Sequence, residues 1–158
     1  MSENSERRVV SVIVVNEASV LSRITNLFSG RGYNITSLTV APIPDSKYSR
    51  LTIVTKGSVR VIEQITKQLH KLIPVLRVYE HEDIVEKEMA LVKFPITEHI
   101  SDINTLCEAY NGKIVNAGEN VIIVMVADEP KRVENFLSAI KRYHPKEIVR
   151  SGAVALER

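Results

Sequence analysis

The stretch Val14-Val15-Asn16-Glu17-Ala18-Ser19-Val20-Leu21-Ser22-Arg23 joins an apolar run to a segment with apolar residues at helical spacing. Residues 9–15 are dense in β-branched side chains and predict a central strand, and the apolar positions after residue 19 predict a helix. A strand that turns directly into a helix presents the first free N–H groups of that helix at one point, where a carboxylate or phosphate is favoured. Asn16 and Ser19 are placed to cap this helix or to contact a bound anion.

The composition indicates a folded, globular protein with neither a nucleic-acid-binding nor a membrane-spanning pattern. Of the 158 residues, 44% are hydrophobic and 25% charged, and the net charge of +2 is spread without a concentrated basic face. The N-terminal residues 1–8 carry no apolar secretion signal, and no apolar run approaches the roughly 18 residues that span a bilayer. The single cysteine, Cys107, excludes an internal disulfide and fits a reducing compartment. We therefore expect a cytoplasmic protein.

The order of predicted elements repeats once along the chain. The first half reads as strand, helix, two strands joined by a turn, helix and strand, and the second half reads the same way. The predicted strands are 9–15, 33–42, 48–55 and 75–79, then 88–94, 113–116, 121–127 and 147–156. The sequence thus predicts an α+β fold of two tandem ferredoxin-like β-α-β-β-α-β modules. Modules of about 75 residues bury little surface alone, so we expect an oligomer.

The sequence shows no arrangement of residues typical of catalysis or metal binding. None of the four histidines (His70, His81, His99 and His144) stands with a Cys, Ser or carboxylate at a spacing that suggests a nucleophile and its base. Cys107 lies on the apolar face of a predicted helix, which favours a buried hydrophobic role. Gly30-Arg31-Gly32 follows a helix and lacks the third glycine of a phosphate loop, and no zinc-type spacing occurs. We therefore predict no catalytic residue, no metal and no cofactor in this chain.

An RNA-recognition sheet has the same order of elements and was tested as an alternative. That use requires exposed aromatic residues on the two central strands, on which bases stack. Residues 9–14 and 49–54 contain no aromatic residue. The sequence does not support RNA binding.

Several segments carry a family resemblance that covers nearly the whole chain after residue 7. They are 16–23 (NEASVLSR), 27–35 (LFSGRGYNI), 37–42 (SLTVAP), 49–53 (SRLTI), 64–72 (QITKQLHKL), 88–93 (EMALVK) and 150–156 (RSGAVAL). Together they closely resemble the small regulatory subunit of acetolactate synthase. The resemblance implies an ACT domain over residues 8–80, a linker at 81–87 and a C-terminal ferredoxin-like regulatory domain over 88–158.

The resemblance also implies a function. The ACT domain would pair with a second copy and bind an amino acid at the interface. The partner would be a large catalytic subunit carrying thiamine diphosphate, magnesium and FAD, which condenses two pyruvates, or pyruvate with 2-oxobutyrate, in valine, leucine and isoleucine synthesis. The small subunit would raise its activity and make it sensitive to valine.

The expected effector site lies at the start of the first helix. Its N–H groups would bind the carboxylate of valine, and side-chain oxygens of Asn16 and Asn34 would bind the ammonium group. Val20, Leu21 and Ile35 would line a pocket for the branched side chain. The alternative is that Asn16 caps the helix and Asn34 stabilises a turn. The family pattern has glycine at Ser19. A serine adds a side chain, which either supplies an extra cap or ligand hydrogen bond or crowds the effector, and it restricts the backbone if φ is positive. We expect valine to bind more weakly than in relatives with glycine, with activation of the large subunit retained.

The surface that contacts the large subunit is expected on the second helix. Its polar side carries Arg60, Gln64, Lys67, Gln68 and Lys71. The alternative for this side is an ordinary solvated helix face. For the whole chain, the alternative function is a free-standing amino-acid sensor that controls another enzyme or a transcription factor.

Overall fold

The computed structural model describes residues 5–80, 82–97 and 99–158 and contains two β-α-β-β-α-β modules. The first consists of β1 (Glu6–Val15), α1 (Val20–Gly30), β2 (Ile35–Pro42), β3 (Tyr48–Gly57), α2 (Val59–His70) and β4 (Val75–Glu80). The second consists of β5 (Ile84–Pro95), α3 (Ile100–Ala109), β6 (Lys113–Ala117), β7 (Val121–Asp128), α4 (Pro130–Ala139) and β8 (Glu147–Arg150), followed by β9 (Val154–Glu157). The predicted fold class is confirmed.

The first module is a four-stranded antiparallel sheet with both helices packed on one face. The strand order is β2-β3-β1-β4, which leaves β2 and β4 at the edges. Alternate residues of β1 enter the core beside apolar residues of both helices. The core residues are Val10, Val12, Val14, Val20, Ile24, Phe28, Leu51, Ile53, Ile62, Ile65 and Leu69. β1 is buried on its other face as well, as its β-branched composition predicted.

The ends of the helices in this module follow from single residues. Ser58 begins α2, because its hydroxyl accepts a hydrogen bond from the Val61 amide at 3.4 Å. Beyond α1, Gly32 has φ +69°, which a glycine adopts without steric cost. α1 accordingly ends at Gly30, two residues before this turn.

The second module has the same arrangement, with strand order β6-β7-β5-β8 and β9 paired to β5. Its core contains Phe94, Phe136 and Ile140, together with apolar residues of β5, β7 and both helices. Cys107 is fully buried in this core, as predicted. α4 is continued by a short 3-10 helix (Ile140–Tyr143), and the single strand predicted over 147–156 is in fact two, β8 and β9.

The chain divides into two compact units that do not coincide with the two modules. One comprises Met1–Val85 and Ala155–Arg158, and the other comprises Glu86–Val154. The structure differs from the expected linker, because residues 84–87 already belong to β5; His81 lies outside the described residues. Within the first unit the Arg158 guanidinium forms an ion pair with Asp83 at 2.7 Å.

Candidate functional site

The loop between β1 and α1 is held by backbone bonds from two other loops of the first module. The Val15 amide donates to the Pro74 carbonyl at 3.0 Å, and the Asn16 amide donates to the Lys47 carbonyl at 2.9 Å. The side chains of residues 16–19 are all exposed. The loop is therefore fixed by its backbone, while its side chains and the helix start face solvent.

Ser19 occupies the N-cap position of α1, but its side chain makes no capping hydrogen bond. Its φ of −88° and ψ of −10° lie in the right-handed region, where a serine is as well accommodated as other residues. The backbone restriction expected for a positive φ is therefore absent, while the effect of the serine side chain on valine binding stays a prediction. α1 also has no acidic residue in its first turn.

The three apolar residues expected at the site differ in their surroundings. Val20 is 3% exposed and packs in the core of the first module, and Ile35 packs partly against the same core. Leu21 is 38% exposed and points away from that core. Of the three, Leu21 is the residue that offers substantial surface to a ligand at the start of α1.

Asn34 lies at the other end of the sheet from Asn16. Val15, next to Asn16, pairs with Tyr48 at the start of β3, whereas Ile35, next to Asn34, pairs with Thr55 near its end. Seven residue steps along β3 correspond to about 24 Å. The Asn34 carbonyl accepts a hydrogen bond from the Thr55 hydroxyl. One chain thus groups Asn16, Ser19, Val20 and Leu21, and places Asn34 and Ile35 far from them.

The polar side of α2 is solvent-facing, opposite the core residues Ile62, Ile65 and Leu69. Arg60, Gln64, Lys67 and Lys71 are exposed and Gln68 is half-buried. Gln64 is engaged within the chain, since its side-chain oxygen accepts from the Tyr33 hydroxyl at 3.3 Å. The assignment of this side to a partner contact stays a prediction.

A charged cluster in the second module was not anticipated from the sequence. Asp128 is 5% exposed and accepts hydrogen bonds from Arg132 Nε (2.6 Å), the Glu129 amide (2.8 Å), Lys87 Nζ (3.1 Å) and Asn111 Nδ2 (3.3 Å). Burial raises the pKa of the Asp128 carboxyl, but these hydrogen bonds outweigh it and hold the pKa well below its usual value. The only sequence signal was an aspartate at the end of a strand four residues before an arginine.

A second buried carboxylate in this module is also fully engaged. Glu88 is 8% exposed and pairs with Arg150, whose other terminal nitrogen bonds Glu134 at 2.7 Å. In the core of this module, burial and then the Glu108 charge raise the pKa of the Cys107 thiol to about 11, which leaves it protonated and unreactive at neutral pH. These groups serve structure, because each is either paired or shielded from solvent.

Within residues 5–80, 82–97 and 99–158, no three His, Cys, Asp or Glu side chains are grouped so that they hold a metal ion. No helix in those same ranges is long and apolar enough to cross a bilayer.

Each half of the chain matches a known protein-family model. Residues 10–77 match the family model described as "AHAS small subunit-like ACT domain", which makes the first module an ACT domain within a tandem ferredoxin-like protein. Residues 87–158 match the family described as "Small subunit of acetolactate synthase". The chain belongs to the acetolactate synthase small subunit family.

Individual relatives span essentially the whole chain. It is 43% identical to the acetolactate synthase isozyme 3 small subunit of Escherichia coli over 156 residues, covering 96% of each chain. It is 38% identical to the acetolactate synthase small subunit of Bacillus subtilis, covering 96% of this chain and 91% of the relative. The crystal structure of the small subunit from Thermotoga maritima superimposes with a TM-score of 0.90 at 36% identity, covering 97% and 98% of the two chains. The predicted resemblance is confirmed.

Proposed function

We propose that this protein is the regulatory subunit that activates a large acetolactate synthase subunit and makes it sensitive to valine. Membership of the small subunit family supports a role beside a catalytic chain in branched-chain amino acid synthesis. The observation that carries the effector proposal is the separation of Asn16 from Asn34 along a sheet whose edge strand β2 is unpaired on one side.

A second copy of the chain resolves that separation. Two β2 edges that pair antiparallel about a two-fold axis place the start of one strand beside the end of the other. The partner subunit's Asn34 then lies at the end of the sheet where Asn16 and the start of α1 are found. Each effector site of such a homodimer draws residues from both chains.

The chemistry of this composite site fits an amino acid. The uncapped N–H groups at the start of α1 bind the carboxylate. The side-chain oxygens of Asn16 and of the partner subunit's Asn34 accept from the ammonium group, and the exposed Leu21 contacts the apolar side chain. Because the Ser19 side chain is exposed and uncapped with ordinary dihedrals, its hydroxyl is available to donate to the same carboxylate.

The cofactors of the reaction belong, in this proposal, to the large subunit. Thiamine diphosphate, magnesium and FAD would be bound there, and the small subunit would act on them only through the contact between chains. The polar side of α2, with Lys67 and Lys71 exposed at its C-terminal end, is the proposed contact in the cytoplasmic complex.

The first test is the activity of a purified large subunit with and without this chain, across a valine titration. We expect the chain to raise the rate and valine to lower it toward the rate of the large subunit alone. A chain that neither co-purifies with the large subunit nor changes its rate would contradict the proposal and favour a free-standing sensor.

The composite site is tested by mixing two variants. Asn16→Ala and Asn34→Ala homodimers should each lose valine binding in calorimetric titrations. A mixed dimer of the two variants contains one intact site, so it should recover half of the wild-type binding sites. Asn26→Ala, an exposed asparagine on α1, is the matched control and should bind as wild type. Unchanged binding by the mixed dimer relative to its parents would refute a site shared between chains.

A further inference from the structure

The loop between α2 and β4 presents the most exposed large apolar side chain in the described part of the chain. Ile73 is 95% exposed, whereas the next value among the large apolar residues there is 63%, at Leu156. Single apolar residues with part of their surface in water are normal on proteins. Ile73 differs because almost its whole side chain is in water. It therefore contributes almost nothing to the packing of the first module.

The residues on either side of Ile73 hold this loop in place. Leu72 packs against the core of the first module, and Pro74 is buried. The Val75 amide donates to the Leu72 carbonyl at 3.0 Å, and the Val15 amide donates to the Pro74 carbonyl at 3.0 Å. The backbone on both sides of Ile73 is thus fixed before any partner binds. A partner that binds this side chain has little backbone to order, which favours affinity.

The loop lies at the end of the sheet where α1 begins. Loops 16–19, 43–47 and 71–74 are neighbours at this end, since the Asn16 amide bonds the Lys47 carbonyl and the Val15 amide bonds the Pro74 carbonyl. The strand order β2-β3-β1-β4 puts loop 71–74 beside β4, at the opposite edge of the sheet from β2. Two copies that pair through their β2 edges therefore leave Ile73 uncovered.

The charged residues nearest to Ile73 along α2 are basic. Lys67 lies in the last turn of α2 and Lys71 is its C-cap residue, and both are exposed. They are four positions apart and so lie on one side of the helix, where they also complement the negative end of the helix dipole. Neither lysine forms an ion pair within the residues that the structure describes. The surface around Ile73 thus combines one projecting apolar side chain with two cations available to a partner.

We propose that Ile73 is the apolar anchor of the contact with the large catalytic subunit, where it enters an apolar pocket whose rim carries carboxylates for Lys67 and Lys71. The inference rests on the proposed function and names the centre of that contact. Membership of a small subunit family implies a larger catalytic chain, for which this chain needs a contact surface. Interfaces are commonly anchored by a buried apolar side chain at the centre with charged residues at the rim.

The affinity of the full chain for the purified large subunit, measured by calorimetry without valine, tests this anchor. Burial of an isoleucine side chain lowers a dissociation constant about 10- to 100-fold, so Ile73→Ser should weaken binding by that factor. Ile73→Leu keeps an apolar side chain of the same volume and should retain most of the affinity. Because Ile73 is 95% exposed in the free chain, neither variant should change the midpoint of thermal unfolding.

The matched control is Val59→Ser. Val59 is 60% exposed and begins α2, at the end of the helix remote from Ile73. This variant should bind the large subunit as wild type does. Equal affinities of wild type and Ile73→Ser would overturn the anchor and leave the proposed function standing, whereas a wild-type chain that does not bind would overturn both. Weaker self-association of Ile73→Ser in analytical ultracentrifugation would assign Ile73 to a second copy and would also overturn the anchor.

A fluorescent probe tests the position of the contact. Cys107 is buried, so a polarity-sensitive maleimide dye labels the folded chain at the thiol introduced by Ile73→Cys or by Val59→Cys. Addition of the large subunit should shift the emission of the dye at position 73 to shorter wavelength and leave that of the dye at position 59 unchanged. An unchanged emission at position 73, in a complex that co-elutes in size-exclusion chromatography, would overturn the proposal.

Discussion

Replacing Asp128 by asparagine should weaken the second module. The substitution preserves the size of the side chain and removes its negative charge. Asp128 is the point where the start of β5, the end of α3 and the start of α4 are hydrogen-bonded together, through Lys87, Asn111 and Arg132. Its loss therefore affects three elements at once.

The size of the effect follows from the individual contacts. The Lys87 and Arg132 side chains are 48% and 42% exposed, so each ion pair is screened and contributes about 0.5–1 kcal/mol. The Glu129 amide loses a charged acceptor, which costs a further ~0.5–1 kcal/mol. We expect Asp128→Asn to lower the free energy of unfolding by about 1.5–3 kcal/mol at pH 7.

The depressed pKa of the Asp128 carboxyl determines how the difference in free energy of unfolding between wild type and Asp128→Asn depends on pH. The folded-state pKa of Asp128 is depressed, so its contribution is fully present above the unfolded value of about 3.9. The contribution is lost as the pH falls from there toward the depressed folded value. The gap between wild type and Asp128→Asn should therefore be constant from pH 7 to 5 and shrink below pH 4.

Urea unfolding followed by circular dichroism at pH 7 and pH 3 measures both effects. The chain has no tryptophan, which favours circular dichroism over fluorescence. Glu147→Gln, which removes an exposed ion pair with Lys93, is the control and should leave the midpoint unchanged. Equal stability of wild type and Asp128→Asn at pH 7, or a gap at pH 3 that is no smaller than at pH 7, would refute this account.

Four further outcomes are expected. Ser19→Gly should not bind valine more tightly than wild type in calorimetry, because φ at this position is −88°; tighter binding would mean that Ser19 crowds the effector. Charge reversal at Lys67 and Lys71 should reduce activation of the large subunit when this chain is in excess and valine is absent. Intact activation would rule out α2 as the contact. Gly112→Ala should cost about 1–3 kcal/mol, since its Cβ would lie 2.6 Å from Cys107 Sγ, as thermal unfolding would report. Cys107 should resist alkylation by iodoacetamide at pH 8 until the protein is unfolded, because its pKa is raised to about 11.

The periodicity of apolar residues was sufficient to predict the elements of this fold. Residues 9–15, 20–31 and 121–127 have patterns whose period and length match the strands and helix found there. Element ends were less predictable. β5 begins at Ile84, four residues earlier than expected. The charged residues 86–88 alternate between the two faces of the sheet, and the buried Glu88 is paired with Arg150, which is far away in sequence.

The sequence predicted which residues form the candidate site, but not how they are arranged in space. Sequence patterns identified the start of α1, but they carried no information on which end of the sheet Asn34 occupies. Val20 and Ile35 were expected to line a pocket, but Val20 lies in the core and Ile35 packs partly against it. Which side of a helix or strand a residue occupies is not fixed by a short segment of sequence. The hydrogen bonds of Asp128 join residues up to 41 positions apart, which no local pattern reports.

The discontinuity of the first compact unit has a consequence for biosynthesis. The unit comprises Met1–Val85 and Ala155–Arg158, and about 70 residues separate the two segments. A ribosome adding 5–20 residues per second needs about 3–14 s to synthesise that interval. Throughout this time the nascent ACT domain has no Ala155 carbonyl for Arg50 to bond, and the guanidinium of Arg50 lacks an acceptor that it has in the finished protein.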